Sequence, residues 1–330
     1  MRDSFGRSIT YLRLSVTDRC DLRCRYCMGP HPVFIPKRDV LSLEDLGAIA
    51  GAFVDLGVRK IRLTGGEPLV RRGLPTLIAA LAAYKAQGRL DEIALSTNGS
   101  LLDRHAQALA EAGIARVNVS LDTLDPQVYS QVTGGGGLDR VMGGLMAARQ
   151  AGMAVKLNCV AAKGLNDGAH VGLVDWAHGN GFDITFIELM PMGDGESRKD
   201  FGFLPLESVR AALAARWTLL ADDHCSGGPA RYLRLAETGR RVGFITAMSA
   251  EFCGSCNRVR VDCQGRMHTC LGRSGHHGLK AALDQGPEAL RAAILGAITA
   301  KPRAHAFQEA ASPTPTPGAL PERTMNATGG

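Results

Sequence analysis

The chain has 330 residues, 45% of them hydrophobic, and its 38 Lys and Arg against 32 Asp and Glu give a formal charge of +6. The start, MRDSFGRSIT, is no basic-then-apolar leader, and no run approaches the roughly 20 apolar residues that span a bilayer, so a cytoplasmic protein without a membrane segment is expected. The modest charge, without long basic runs or interleaved aromatics, suits an anionic small molecule at least as well as nucleic acid.

Short β-rich runs alternate with helical ones, the pattern of parallel βα units. The first strand is expected over Tyr11 to Val16, and the loop after it carries Cys20, Cys24 and Cys27 in a CxxxCxxC spacing. Thiolates are soft ligands suited to iron–sulfur clusters or zinc, and three of them leave one metal position open for a small molecule. A disulfide framework belongs to small secreted domains and fits this length poorly. Leu43, Leu46, Ile49 and Phe53 then form one apolar helical face, opened by a Ser42-x-x-Asp45 capping box and closed near Gly57. Further strands are expected over Lys60 to Thr64, Glu92 to Thr97, Arg116 to Leu121, Val155 to Val160 and Ile184 to Met190. Val141, Leu145 and Ala148 mark another helix ahead of Gly152. Six such units, fewer than the eight of a closed barrel, imply an α/β fold with an open, partial TIM barrel. The expected division is 1–220 for the barrel, 221–311 for a C-terminal auxiliary domain and 312–330 for a tail that begins with a stiff Pro-rich linker, Ser312-Pro-Thr-Pro-Thr-Pro317.

Active sites of βα barrels lie at the C-terminal ends of the strands. That rule gathers the cysteine loop, Gly65-Gly66-Glu67, Thr97-Asn98-Gly99, Ser120, Asp122, Asn158 and Glu188-Leu-Met190 into one site. Taken singly, each such Thr, Asn, Ser or Asp would serve equally well as a helix cap, and it is their recurrence on most strands that favours a site. Cys253, Cys256 and Cys270 make a second triad, and Cys263 inside the same segment leaves open a closed four-thiolate site. A hairpin turn at Gln264-Gly265 would pair Cys263 with Arg266 and Val259 with Cys270, setting Cys263 roughly 13 Å from Cys270 at about 3.4 Å per residue. Arg258 and Arg260, two apart on a strand, share a face. Cys159 and Cys225 have no partner in spacing and are expected as buried small residues.

Cys20-x-x-x-Cys24-x-Tyr26-Cys27 followed by Leu63-Thr-Gly-Gly-Glu-Pro68 resembles the radical S-adenosylmethionine (SAM) enzymes. Nearly the whole chain is similar to one branch of them, the GTP 3′,8-cyclases of molybdenum-cofactor biosynthesis. The runs that carry this likeness are Leu95-Ser-Thr-Asn-Gly99, Val117-Asn-Val-Ser-Leu-Asp122, Val155-Lys156, Lys163-Gly-Leu-Asn-Asp167, Phe186-Ile-Glu-Leu-Met190, Phe252-Cys-Gly-Ser-Cys-Asn-Arg-Val-Arg260 and Gly329-Gly330. The resemblance implies two 4Fe–4S clusters, one on Cys20, Cys24 and Cys27 with SAM at its open iron, the other on Cys253, Cys256 and Cys270 with the guanine of GTP at its own. It assigns SAM contacts to Tyr26, Gly66, Ser120 and Met190, and GTP contacts to Arg13, Arg62, Thr97, Lys156, Arg258 and Arg260. Gly65 and Gly66 would let the ligand approach the backbone closely. The double-glycine terminus would thread into the site, although Thr328 stands where an apolar β-branched residue is usual.

The activity implied is a lyase that cleaves SAM to an adenosyl radical, takes hydrogen from C3′ of GTP and joins that carbon to C8, giving 3′,8-cyclo-7,8-dihydro-GTP. A flavodoxin- or ferredoxin-type electron donor, a pathway partner that turns the product into the cyclic pyranopterin and a homodimer are the associated expectations. Two other readings compete. A radical SAM peptide-maturation enzyme with an auxiliary cluster would want a peptide-binding element, and none precedes the first strand. An iron–sulfur electron carrier or zinc nucleic-acid module needs neither six βα units nor Gly-Gly-Glu-Pro.

Overall fold

The computed structural model describes residues 1–29, 31–192, 200–250, 252–307 and 323–329; the linker at 312–317 and Gly330 lie outside the described residues. Six parallel strands run in chain order: β1 (Tyr11–Ser15), β2 (Lys60–Thr64), β3 (Glu92–Thr97), β4 (Arg116–Ser120), β5 (Ala154–Lys163) and β6 (Asp183–Glu188). Each pairs with the next. The crossovers are α1 (Leu43–Asp55), α2 (Leu74–Ala86), α3 (Leu102–Glu111), α4 (Pro126–Thr133) with α5 (Leu138–Gln150), and α6 (His170–Gly179). The start of α1 follows from its sequence. Ser42 Oγ accepts from the Asp45 amide at 3.0 Å, and the Asp45 carboxylate accepts from the Ser42 amide at 3.3 Å. Leu46, Ile49 and Phe53 on its inner face are fully buried, each contributing about 1.5–3 kcal/mol of hydrophobic stabilisation.

Strand alternation separates core from cavity. Leu12, Leu14, Ile61, Leu63, Leu95, Val117, Val119 and Leu157 face the helices and form the core. The residues between them, among them Tyr11, Arg13, Arg62, Ser96, Asn118 and Lys156, face a central cavity.

The C-terminal part adds β7 (Gly202–Phe203), α7 (Leu206–Ala214), β8 (Leu219–Asp222), β9 (Arg231–Leu235), β10 (Arg241–Ile245), β11 (Arg258–Val261), β12 (Arg266–His268), β13 (His277–Gly278), α8 (Lys280–Asp284), α9 (Pro287–Thr299) and α10 (Met325–Thr328). Across the sheet the order is β13-β12-β11-β1-β2-β3-β4-β5-β6-β10-β9-β8, with β7 paired to β5. Both edges of the six-stranded barrel are thereby extended by parallel strands, β10 on β6 and β11 on β1. Neither follows a βα crossover: the strand carrying Arg258 and Arg260 is expected from sequence but not its place beside β1, and β10, which arrives through a hairpin from β9, is not expected at all. The expected division at residue 220 falls inside β8.

The hairpin at Gln264-Gly265 differs from expectation by one residue in register. Arg260 pairs with His268 and Val261 with Met267. The Asp262 carboxylate accepts from the Gln264 and Arg266 amides, both at 2.9 Å, and Gly265 adopts φ +77°, so the loop has three residues instead of two. Left-handed φ at that position favours glycine. Cys159 is buried as expected, whereas Cys225 is exposed in the connection between β8 and β9.

Candidate active site

The barrel encloses a cavity of about 310 Å³ lined by both cysteine triads and by Tyr26, Gly66, Ser120, Met190, Arg13, Arg62, Thr97, Lys156, Arg258 and Arg260. The triads occupy opposite ends. Cys20, Cys24 and Cys27 follow the C-terminal end of β1, whereas Cys253 and Cys256 precede the N-terminal end of β11, which runs parallel to β1 with Tyr11 opposite Arg258. Cys270 follows β12, antiparallel to β11, and so returns to the Cys256 end. A five-residue strand at about 3.3 Å per residue puts roughly 16 Å between the two ends.

Backbone packing fixes the first cysteine loop. The Gly66 amide donates to Thr17 O and the Glu67 amide to Arg19 O, both at 2.8 Å. A Cβ on Gly65 would come 2.6 Å from Thr17 O, and one on Gly66 would collide with the Arg19 carbonyl. From sequence alone these glycines are expected to let a ligand approach; in the fold the space without a Cβ is taken by the cysteine loop itself. The Tyr26 hydroxyl donates to Asp122 Oδ2 at 2.5 Å, and Asp122 Oδ1 accepts from the Val160 amide at 2.8 Å. Burial pushes the Asp122 carboxyl up to about 6 despite these donors. Glu67, fully buried, accepts from Thr97 Oγ1, the Leu69 amide and the Asn98 amide, yet burial still raises it to about 7. Asp122 and Glu67 were noticed in sequence only as members of strand-end runs, without a role; a buried carboxylate among polar strand-end residues was the available signal.

Burial raises Cys20 and Cys27 to about 12, with Glu67 and Asp21 adding to the effect at Cys20 and Cys20 at Cys27, and burial with the neighbouring thiols and carboxylates pushes Cys24 well up as well. Three thiols on one loop that resist ionisation have no positive partner among the described residues. A bound cluster supplies one, so the donor set fits a metal group. Among the described residues no three His, Cys, Asp or Glu side chains converge on one ion, and a cluster with one thiolate per iron asks for separated sulfurs. At the opposite end, burial pushes the Cys256 thiol up, but Lys301 and Arg258 outweigh it and hold Cys256 below its ordinary value. Cys263 is buried beside the Leu41 amide, which donates to its carbonyl at 2.8 Å, and does not line the cavity. Cys263→Ser is therefore expected to retain the iron and sulfide of the second site, while Cys270→Ala loses them. Iron analysis of the reconstituted variants checks this, and loss in Cys263→Ser would make Cys263 a ligand.

Between the triads the sheet carries a row of cations. Arg260, Arg13 and Arg62 sit side by side in register on β11, β1 and β2, and like charges directly opposite each other destabilise a sheet. Arg62 Nε donates to Tyr11 Oη at 2.6 Å, and Lys156 Nζ to Tyr232 Oη at 3.1 Å. Burial lowers Lys156 to about 7, with Arg62, Arg116 and Lys60 adding to the effect. Burial pushes the Tyr11 phenol up, but Arg62, Arg13, Lys60 and Arg258 together bring it down to about 7. Such a row calls for a bound polyanion.

The C-terminal tail passes through the same space. Arg323 donates to Cys270 O, Leu271 O and Arg273 O, the Asn326 side chain donates to Asp18 O at 3.0 Å, and the Met325 amide reaches Cys27 O at 3.3 Å. Arg260 donates to Gly329 O and, at 3.4 Å, to Thr328 O. Gly329 has φ +75° and packs on Thr64, where any Cβ would collide. Described tail residues thus bridge the two cysteine segments.

Residues 14–177 match the radical SAM superfamily and residues 182–307 the C-terminal region of molybdenum cofactor synthesis proteins. The chain is 51% identical to the GTP 3′,8-cyclase of Caulobacter vibrioides, over 99% of this chain and 93% of that one. It is 50% identical to the GTP 3′,8-cyclase of Brucella canis, over 93% and 90%. Among solved structures, Streptococcus suis SuiB bound to S-adenosylmethionine superposes with a TM-score of 0.61 at 16% identity, over 82% of this chain and 63% of that chain. The same protein bound to its precursor peptide SuiA gives 0.61 at 17% identity, over 81% and 60%. The likeness to SuiB shows the fold alone.

Proposed function

The chain belongs to the GTP 3′,8-cyclase family of the radical SAM superfamily, and from that premise we propose that GTP lies between the two cysteine triads, its triphosphate on the cationic row. The chain is an enzyme of molybdenum-cofactor biosynthesis that converts GTP to 3′,8-cyclo-7,8-dihydro-GTP. Cys20, Cys24 and Cys27 would hold one 4Fe–4S cluster and Cys253, Cys256 and Cys270 a second. When bound, the first cluster with SAM supplies one-electron cleavage of the sulfonium, which starts hydrogen abstraction at C3′.

The chain's own residues do the rest. Tyr26, Gly66, Ser120 and Met190 are assigned to SAM at the C-terminal strand ends. Arg13, Arg62, Lys156, Arg258 and Arg260, with Thr97, are assigned to GTP, where guanidinium forks match phosphate oxygens bidentately. The enclosing barrel keeps water from a reactive carbon centre. The observation that carries this reading is the in-register row Arg260, Arg13, Arg62, with Arg62 buried and the other two half-buried, a concentration of positive charge that a triphosphate would neutralise. A flavodoxin- or ferredoxin-type donor, a following enzyme that makes the cyclic pyranopterin, a homodimer and a cytoplasmic location complete the proposal. No helix among the described residues is long and apolar enough to cross a membrane, and the cysteines are in no disulfide.

A polyanion stabilises the Lys156 ammonium and opposes a Tyr11 phenolate, so binding raises both values from about 7. GTP binding is expected to take up about one to two protons at pH 8, where both groups have lost theirs, and fewer at pH 6. Calorimetry in buffers of different ionisation enthalpy measures the number, and proton release at pH 8 would contradict the assignment. The reading as a whole is tested by anaerobic incubation of the reconstituted protein with SAM, dithionite and GTP. The expected result is consumption of GTP with formation of an isomer of the same mass; unchanged GTP beside active SAM cleavage would overturn it.

A further inference from the structure

Lys301, just beyond the end of α9, is 3% exposed. Its Nζ donates to Arg258 O at 3.1 Å and to Thr269 O, and lies 3.6 Å from Cys256 Sγ. The two carbonyls lie at the start of β11, two residues after Cys256, and one residue before Cys270, and the sulfur is that of Cys256 itself. The same stretch of chain reaches the third cysteine: the His305 amide points to Cys253 Sγ at 3.4 Å. Arg7 clamps the two together, donating to Cys253 O at 2.9 Å and to Pro302 O and Arg303 O. Residues 301–305 thus contact every segment that carries a thiol of the C-terminal site.

Burying an ammonium without an anionic partner is strongly unfavourable. Among the described residues Lys301 forms no ion pair with a carboxylate, and the ligand atom within its reach is Cys256 Sγ. A hydrogen bond to a ligand sulfur and a fixed positive charge both favour the more negative, reduced form of an iron–sulfur cluster, and both are among the factors that set its potential.

Resting on the reading that Cys253, Cys256 and Cys270 hold a cluster, we infer that Lys301 is the positioning residue of that site, joining its three segments and raising the cluster's reduction potential. It touches neither substrate nor iron and acts through Cys256 and the backbone around Cys270.

The test uses the full-length chain with Cys20, Cys24 and Cys27 replaced by alanine, so that only the C-terminal site can load. Iron and sulfide are counted after anaerobic reconstitution, and the midpoint potential is followed by electron paramagnetic resonance. Lys301→Met is expected to shift the one-electron equilibrium against reduction at least tenfold, a fall of about 59 mV. Lys301→Arg, which keeps the charge, is expected to stay within half that shift. Should Lys301→Met fail to load while Lys301→Arg loads near the parent potential, charge at this position is again supported. A parent variant that takes up no iron removes the cluster reading itself and the inference with it. A loaded parent whose potential is unchanged in Lys301→Met leaves the cluster in place and overturns the role of Lys301, as does loss of iron in both Lys301 variants.

Discussion

Cys24→Ala is expected to abolish 5′-deoxyadenosine formation with or without GTP, while the second site keeps its iron. In the proposed arrangement Cys24 is the middle thiol of a triad that leaves one iron open for SAM, and the two remaining thiolates would not hold the cluster. The loop itself should survive, because its backbone is fixed independently of the sulfur. The Arg23 and Arg25 amides donate to Thr133 O and Val132 O at 2.8 and 2.9 Å, and the Cys27 amide donates to Cys24 O at 2.9 Å. Chromatographic assay of 5′-deoxyadenosine after dithionite reduction reads the result, with iron content as the control. Undiminished SAM cleavage in this variant would mean that the N-terminal triad is not where SAM is cleaved.

Arg260→Ala is expected to weaken GTP binding by one to two orders of magnitude while SAM binding stays near that of the unaltered chain. Hydrogen bonds to charged partners are worth about 1.5–3 kcal/mol each, and each 1.4 kcal/mol is tenfold in affinity. Arg260 sits beside Arg13 in register, and burial holds it well below the ordinary guanidinium value, with Arg13 and Arg258 adding to the effect. It also donates to the tail at Thr328 O and Gly329 O, so its loss removes a tail anchor together with the proposed phosphate contact. Calorimetric titration with GTP and with SAM separates the two sites. Normal GTP affinity in this variant would move the triphosphate elsewhere in the cavity.

The barrel was legible because its signals are local. All six core strands appear within a few residues of expectation, since period-two alternation puts Leu12, Leu14, Ile61 and Leu63 on one face and Arg13 and Arg62 on the other. The capping box at Ser42 and Asp45 forms as the spacing requires. What was not legible depends on long-range pairing. No periodicity announces that β11 docks beside β1 or β10 beside β6, and the register of the β11–β12 hairpin turned on whether Asp262 would cap a three-residue loop. Cys225 was misjudged because apolar character alone does not bury a residue in a connection between strands. The reason for Gly65 and Gly66 was likewise invisible, since it lies in the carbonyls of Thr17 and Arg19, nearly 50 residues earlier in the chain. Lys301 drew no notice in sequence for the same cause: its partners are brought to it by the fold.

The central claim is that SAM at one end of the cavity and GTP in the middle meet at the 3′ carbon of the ribose. Anaerobic turnover with GTP deuterated at C3′, followed by mass analysis of 5′-deoxyadenosine, tests it most directly. The expected result is one deuterium in 5′-deoxyadenosine for each GTP consumed, with proportionately less labelled product in the Arg260→Ala variant at GTP concentrations below its weakened affinity. Unlabelled 5′-deoxyadenosine during GTP consumption would place the reacting hydrogen elsewhere and contradict the arrangement.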